Sequence, residues 1–177
     1  MDTASLGVVS RSSGGDTARH LVRQTDDLRV LRRDIGARVR NSRLALGISL
    51  QELGAPHFTR AYVSAIELGK RWPSLRALDH IARKLEVSLR TLLTSDRPAS
   101  RRRVSVTSRD PRQRLGSRLR AARIANGLTP EELGRPAYAG ARVLSVEEGQ
   151  TNPSVPMLAY FARRLNKPMG DLIPPDV

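Results

Sequence analysis

Apolar residues recur at helical spacing from Leu28 onward, with Leu28, Leu31, Ile35, Val39 and Leu46 on one stripe. Asp26 or Asp27 is placed to cap this first helix, and Gly47 supplies the left-handed position beyond its end. Ser49-Leu-Gln-Glu52 is a capping box that opens a short second helix, which Pro56 must end early. A third helix is expected after Thr59, with Phe58 and Val63 at the staple positions around its start and Gly69 at its end. Ser74 then caps a fourth helix carrying Leu78, Ile81, Ala82 and Leu85, and a last short helix ends at Leu92-Leu93. No segment alternates with period two, so the expected fold is all-α.

The pattern occurs twice. Shifting the chain against itself by 80 residues aligns Ile35–Leu93 with Leu115–Ile173 without a gap, and 21 of the 59 pairs are identical. Gly36/Gly116, Arg43/Arg123, Gly47/Gly127, Glu52/Glu132, Glu67/Glu147, Gly69/Gly149 and Ser74/Ser154 are among them, and Thr129-Pro-Glu-Glu132 repeats the capping box with proline at its first helical position. The expected architecture is two tandem five-helix units, at 27–93 and 111–173. Around them lie a disordered tail at 1–26, an Arg-rich linker at 94–110 and a short tail at 174–177.

Charge changes the picture most. The 177 residues carry a net +14, from 31 Lys and Arg against 17 Asp and Glu, which points to a polyanionic partner. Residues 35–93 have a net +6, residues 115–173 a net +3, and the 21 residues 94–114 a net +5. There is no cysteine, which excludes disulfides, thiolate zinc sites and cysteine nucleophiles. His20, His57 and His80 have no ligand spacing, so no metal and no cofactor are expected. Neither a signal peptide nor a run of about 20 apolar residues is seen, so the expected place is the cytoplasm, at the nucleoid, without membrane contact. No paired-carboxylate, Ser/His/Asp or phosphate-loop constellation is present, so no enzymatic activity is expected.

Gly47-Ile-Ser-Leu-Gln-Glu-Leu-Gly54, then Phe58-Thr-Arg-Ala-Tyr-Val-Ser-Ala-Ile-Glu-Leu-Gly69, then Pro73-Ser-Leu-Arg-Ala-Leu78, resembles the lambda-repressor-like (Cro/cI, XRE) helix-turn-helix family. The second copy fits the same frame, and together the copies cover about two-thirds of the chain. The resemblance implies a sequence-specific, double-stranded DNA-binding transcription regulator of bacterial or phage type, with its third helix in the major groove. By position, the base readers of the first copy are Arg60, Ala61, Ser64 and Ala65, with Thr59 as cap. Arginine on the first turn suits guanine O6 and N7, and alanine suits a thymine methyl. Lys70 and Arg71 match phosphate-contacting positions. Arg43 with Glu67, and Arg123 with Glu147, match a family pair that ties the first helix to the third. Arg101, Arg102 and Arg103 of the linker are placed to line phosphates or enter a minor groove.

The sequence departs from the family pattern in two places. Gly54-Ala-Pro-His57 and Gly134-Arg-Pro-Ala137 are both shorter than the usual turn. In the second copy Ala139 stands for the capping threonine, Gly140 for Arg60, and Gln150-Thr151 for Lys70-Arg71, leaving Arg142 and Ser145 as the polar groups of the presumed DNA face. Two mechanisms follow: a covalent pseudo-dimer on one duplex, or a homodimer in which the second copy self-associates. The alternative function is an antitoxin-like or RNA-polymerase-associated protein whose second domain binds protein rather than DNA.

Overall fold

The computed structural model describes residues 13–94 and 110–173; the start of the expected tail, almost all of the linker with Arg101, Arg102 and Arg103, and residues 174–177 lie outside the described residues. Ten helices are described: α1 (Ser13–Ala45), α2 (Leu50–Gly54), α3 (Arg60–Glu67), α4 (Leu75–Lys84), α5 (Leu89–Leu93), α6 (Pro111–Ala125), α7 (Pro130–Gly134), α8 (Gly140–Glu147), α9 (Val155–Arg164) and α10 (Met169–Leu172). No strand longer than a single bridge occurs among the described residues. The all-α expectation therefore matches the described structure.

Helix α1 is longer than the hydrophobic pattern predicts, because it starts at Ser13 and runs through the segment expected to be a disordered tail. After Gly14-Gly15, that segment contains Ala18, Arg19, Leu21, Arg23 and Gln24 and no proline, so helix propensity is high and nothing stops propagation. Asp26 and Asp27 consequently lie inside the helix and do not cap it. Asp26 sits 3.9 Å from Arg29, and Asp27 lies 3.9 Å from Arg163 on α9.

The other boundaries follow from local chemistry. Ser49 and Thr129 each accept a hydrogen bond from the backbone N–H of Glu52 and Glu132, whose carboxylates accept from the caps' own N–H groups. Ala55-Pro56 and Arg135-Pro136 are cis and directly follow α2 and α7. Gly47, Gly69, Gly127 and Gly149 all have φ between 62° and 71°, the left-handed conformation that ends a helix.

Each half packs its helices around an apolar centre. Ile35, Val39, Leu53, Val63, Ile66, Leu78, Ile81 and Leu92 are buried in the first half. Leu115, Leu119, Leu133, Val143, Val146, Leu158, Phe161 and Leu172 are buried in the second. Helix α1 crosses α3 at Gly36, where a Cβ would come within 2.4 Å of the Ile66 carbonyl oxygen; at Gly116 a Cβ would meet the Glu147 carbonyl oxygen at 2.3 Å. Glycine is required here by close approach of two backbones, not by turn geometry.

The halves also pack on each other. Ser74 and Ser154 form an antiparallel bridge, the Leu75 N–H points to the Pro153 carbonyl at 3.4 Å, and the Arg76 N–H donates to the Asn152 side-chain oxygen at 3.3 Å. Leu75 and Val155, just beyond the bridge, are fully buried. At the far end of the contact, Arg90 on α5 reaches Asp171 on α10 at 3.1 Å. Gly170 lies so close to α5 that a Cβ would approach Thr94 Cγ2 at 2.6 Å.

Candidate nucleic-acid interface

Helices α2 and α3 are joined by a turn in which the Phe58 N–H donates to the Gly54 carbonyl at 2.8 Å. Gly54 is buried against Val63, so the start of α3 sits directly on the end of α2. Thr59 caps α3 by accepting from the Tyr62 N–H at 3.2 Å. Val63 and Ile66 point into the core, which leaves the opposite face of α3 to Thr59, Arg60 and Ala61, all exposed, and to Ser64 and Ala65, half-buried. Arg60 forms no ion pair among the described residues, so its guanidinium is available on the first turn of the helix.

The stretch after α3 folds back on it, with the N–H groups of Lys70 and Arg71 both donating to the Ala65 carbonyl. Both side chains are exposed; that of Arg71 lies over the Tyr62 ring, 5.0 Å from its centroid. Trp72 is half-buried against the core with Arg32 over its ring, so it is a packing residue rather than an open stacking platform.

The orientation of α3 is held from behind by a fork. Arg43 Nε donates to Glu67 Oε1 at 2.7 Å and its Nη2 to Oε2 at 2.9 Å, while Nη1 donates to the Ile48 carbonyl at 3.1 Å. Arg123 makes the same three bonds, to Glu147 at 2.6 and 2.9 Å and to the Leu128 carbonyl at 2.8 Å. These carboxylates are 5 % and 2 % exposed, so the pairs are largely removed from water. The hydrogen bonds to Glu67 and Glu147 raise both guanidinium pKa values further above their ordinary range.

In the second half the scaffold is alike and the outward groups differ. Ala139 provides no side-chain cap for α8. Gly140, at the position of Arg60, is buried beneath Glu131, whose Oε1 would lie 2.1 Å from an added Cβ. Arg142 is exposed at the position of Tyr62, and the Ser145 hydroxyl donates to the Ala141 carbonyl at 3.0 Å. Leu144, at the position of Ser64, is 40 % exposed although it is a large apolar side chain.

A further difference lies under the turn. His80 is half-buried against His57 and Phe58, with ring centroids 5.3 and 5.4 Å away. Burial, followed by the neighbouring His57, pushes its pKa below the ordinary imidazole value. Tyr160 stands at the matching place, and its hydroxyl donates to the Gly134 carbonyl at 2.9 Å, next to that of Arg135.

The sequence pattern alone does not mark Glu131 or Leu144 as site residues. The signal for Leu144 was present, since Ser64 aligned with a leucine on a helix whose core positions were already filled. Glu131 left no comparable trace, because its position over Gly140 depends on how α7 meets α8. Among the described residues no cluster of metal-ligand type occurs and no helix is long and apolar enough to cross a membrane.

Residues 39–92 match a family model described as Helix-turn-helix. Comparison of the chain with curated proteins and with solved structures gives no match. The matched segment runs from the last two turns of α1 into α5 and contains Arg43, Glu67 and every outward residue of α3. Residues 39–92 are thus similar to an XRE-like helix-turn-helix domain, a type of DNA-binding regulatory unit.

Proposed function

We propose that this chain is a sequence-specific transcription regulator that binds double-stranded DNA as a covalent pseudo-dimer of two five-helix units related by duplication. Helix α3 enters the major groove with Arg60 on a guanine edge, Ala61, Ser64 and Ala65 beside it, and Lys70 and Arg71 on phosphates. Helix α8 presents Arg142 and Ser145 to a second half-site, and the Arg101-Arg102-Arg103 linker adds phosphate or minor-groove contacts. The observation that carries the reading is the pairing of Ser74 with Ser154. These serines are 80 residues apart and equivalent in the sequence repeat, so each unit meets the other through its own matching surface, the arrangement of a two-fold dimer. Two-fold helix-turn-helix dimers read half-sites about one helical turn apart, roughly 34 Å.

The test is a footprint of the full chain and of its Arg60→Ala and Arg142→Ala variants on a selected binding site. The pseudo-dimer reading requires protection of two half-sites, with Arg60→Ala weakening one and Arg142→Ala the other. An Arg142→Ala footprint and affinity equal to the parent's would overturn it, leaving the second unit to a protein partner such as RNA polymerase, a toxin-like protein or another copy of the chain.

A further inference from the structure

The outward face of α8 is chemically unlike that of α3. Gly140 and Leu144 are four residues apart, and Ala141 and Leu144 three, so they share one face of the helix. Above Gly140 lies the Glu131 carboxylate, and one turn further on lies the exposed Leu144. Position 140 cannot take an arginine like Arg60 without displacing Glu131, since even a Cβ there would stand 2.1 Å from Oε1. Arg142 is the exposed cation of this helix, but it is two residues from both Gly140 and Leu144, off the face they form. An acceptor at the helix start opposes the two acceptors of a guanine edge and matches the amino donor of cytosine. An apolar side chain one turn on matches a methyl group in the major groove.

Resting on the pseudo-dimer reading, we propose that α8 is a pyrimidine reader, with Leu144 and Ala141 packing on C5-methyl groups and Glu131 excluding guanine. The binding site is then asymmetric: one half-site is read by an arginine donor and the other by methyl contact. The surrounding charge favours DNA over a protein as the occupant of this apolar spot, since the chain has a net charge of +14 and its second half is also basic. Thymine and 5-methylcytosine present the same methyl group, and two arms of the test distinguish them.

The test uses the full chain on its selected site, with footprinting beside affinity. In one arm deoxyuridine replaces each thymine of the half-site that Arg142→Ala weakens, which removes only the methyl. In the other, 5-methylcytosine replaces each cytosine there. The thymine form predicts a loss of about fourfold for the critical uracil, the value of one buried methylene-sized group. The 5-methylcytosine form predicts a similar gain on methylation. Either effect must shrink in Leu144→Ala and persist in Arg142→Ala, while Glu131→Gln must relax the bias against guanine without removing the methyl effect. Two protected half-sites with no methyl effect in either arm overturn this inference and leave the pseudo-dimer standing. Protection of the Arg60 half-site alone overturns both.

Discussion

Ser74 and Ser154 bridge each other across the molecule, each meeting the residue that stands at its own position in the sequence repeat. At this pair the contact is self-complementary, as in a two-fold dimer, although it lies within one chain. It continues through the buried Leu75 and Val155 to Arg90, Asp171 and the tight approach of Gly170 to Thr94. We expect Gly170→Leu to wedge α5 from α10, because the added side chain starts 2.6 Å from Thr94 Cγ2. The expected cost is about 1–3 kcal/mol of stability, with a larger radius of gyration by small-angle scattering and weaker DNA binding. Unchanged stability and dimensions would show that the halves do not hold this contact in solution.

Arg43 and Glu67 make a second prediction. Glu67→Ala strips a guanidinium of its partner where the pair is largely shielded from water, at an expected cost of about 3–5 kcal/mol by urea unfolding. Arg43→Met with Glu67→Leu should lose far less than Glu67→Ala alone, because no charge is left stranded. DNA affinity of the double variant should still fall, since the fork that orients α3 is gone. Full affinity in the double variant would reduce the pair to a stability device.

These pairs also mark how much was legible in the sequence. Caps, turns and core faces are local: Ser49 with Glu52, Thr59 and Gly69 carry their structural meaning within a few residues. Arg43 and Glu67 were legible through the family resemblance and through their recurrence as Arg123 and Glu147, not through local chemistry. The packing of one half on the other was not, because Arg90 with Asp171 and Ser74 with Ser154 are joined only by the tertiary fold. The start of helix α1 is hidden for a different reason, since its first turns lack the apolar stripe that announces a packed helix yet contain nothing that ends one.

The stability of the first half should depend on pH through His80. Its pKa lies below the ordinary imidazole value, chiefly from burial and then from His57. As pH falls through about 6.5, the unfolded chain takes up a proton that the folded chain refuses, so stability falls. The fall should continue to the lower folded-state pKa and then level off. His80→Tyr places there the residue that occupies the matching position as Tyr160, and should flatten the fall between about pH 7 and 5. The carboxylates of Glu52, Glu132 and Asp110 have lowered values, so their contributions are lost only in more acidic solution. Identical pH profiles for parent and His80→Tyr would contradict this assignment.

Base reading and phosphate binding separate in a salt titration. Arg60→Ala should reduce affinity for the selected site by about 1–3 kcal/mol while leaving random DNA almost unaffected. Arg71→Ala should weaken specific and random DNA alike and reduce the salt slope by about one. Equal losses on both DNAs for Arg60→Ala would make it a phosphate contact.

The central claim is that one chain supplies both reading units, and the mass of the complex tests it most directly. Sites should first be selected from a random pool, and the complex on the best site weighed by native mass spectrometry. The pseudo-dimer predicts one chain per duplex on a bipartite site with unlike halves about one helical turn apart. Two chains per duplex on a palindrome would contradict it.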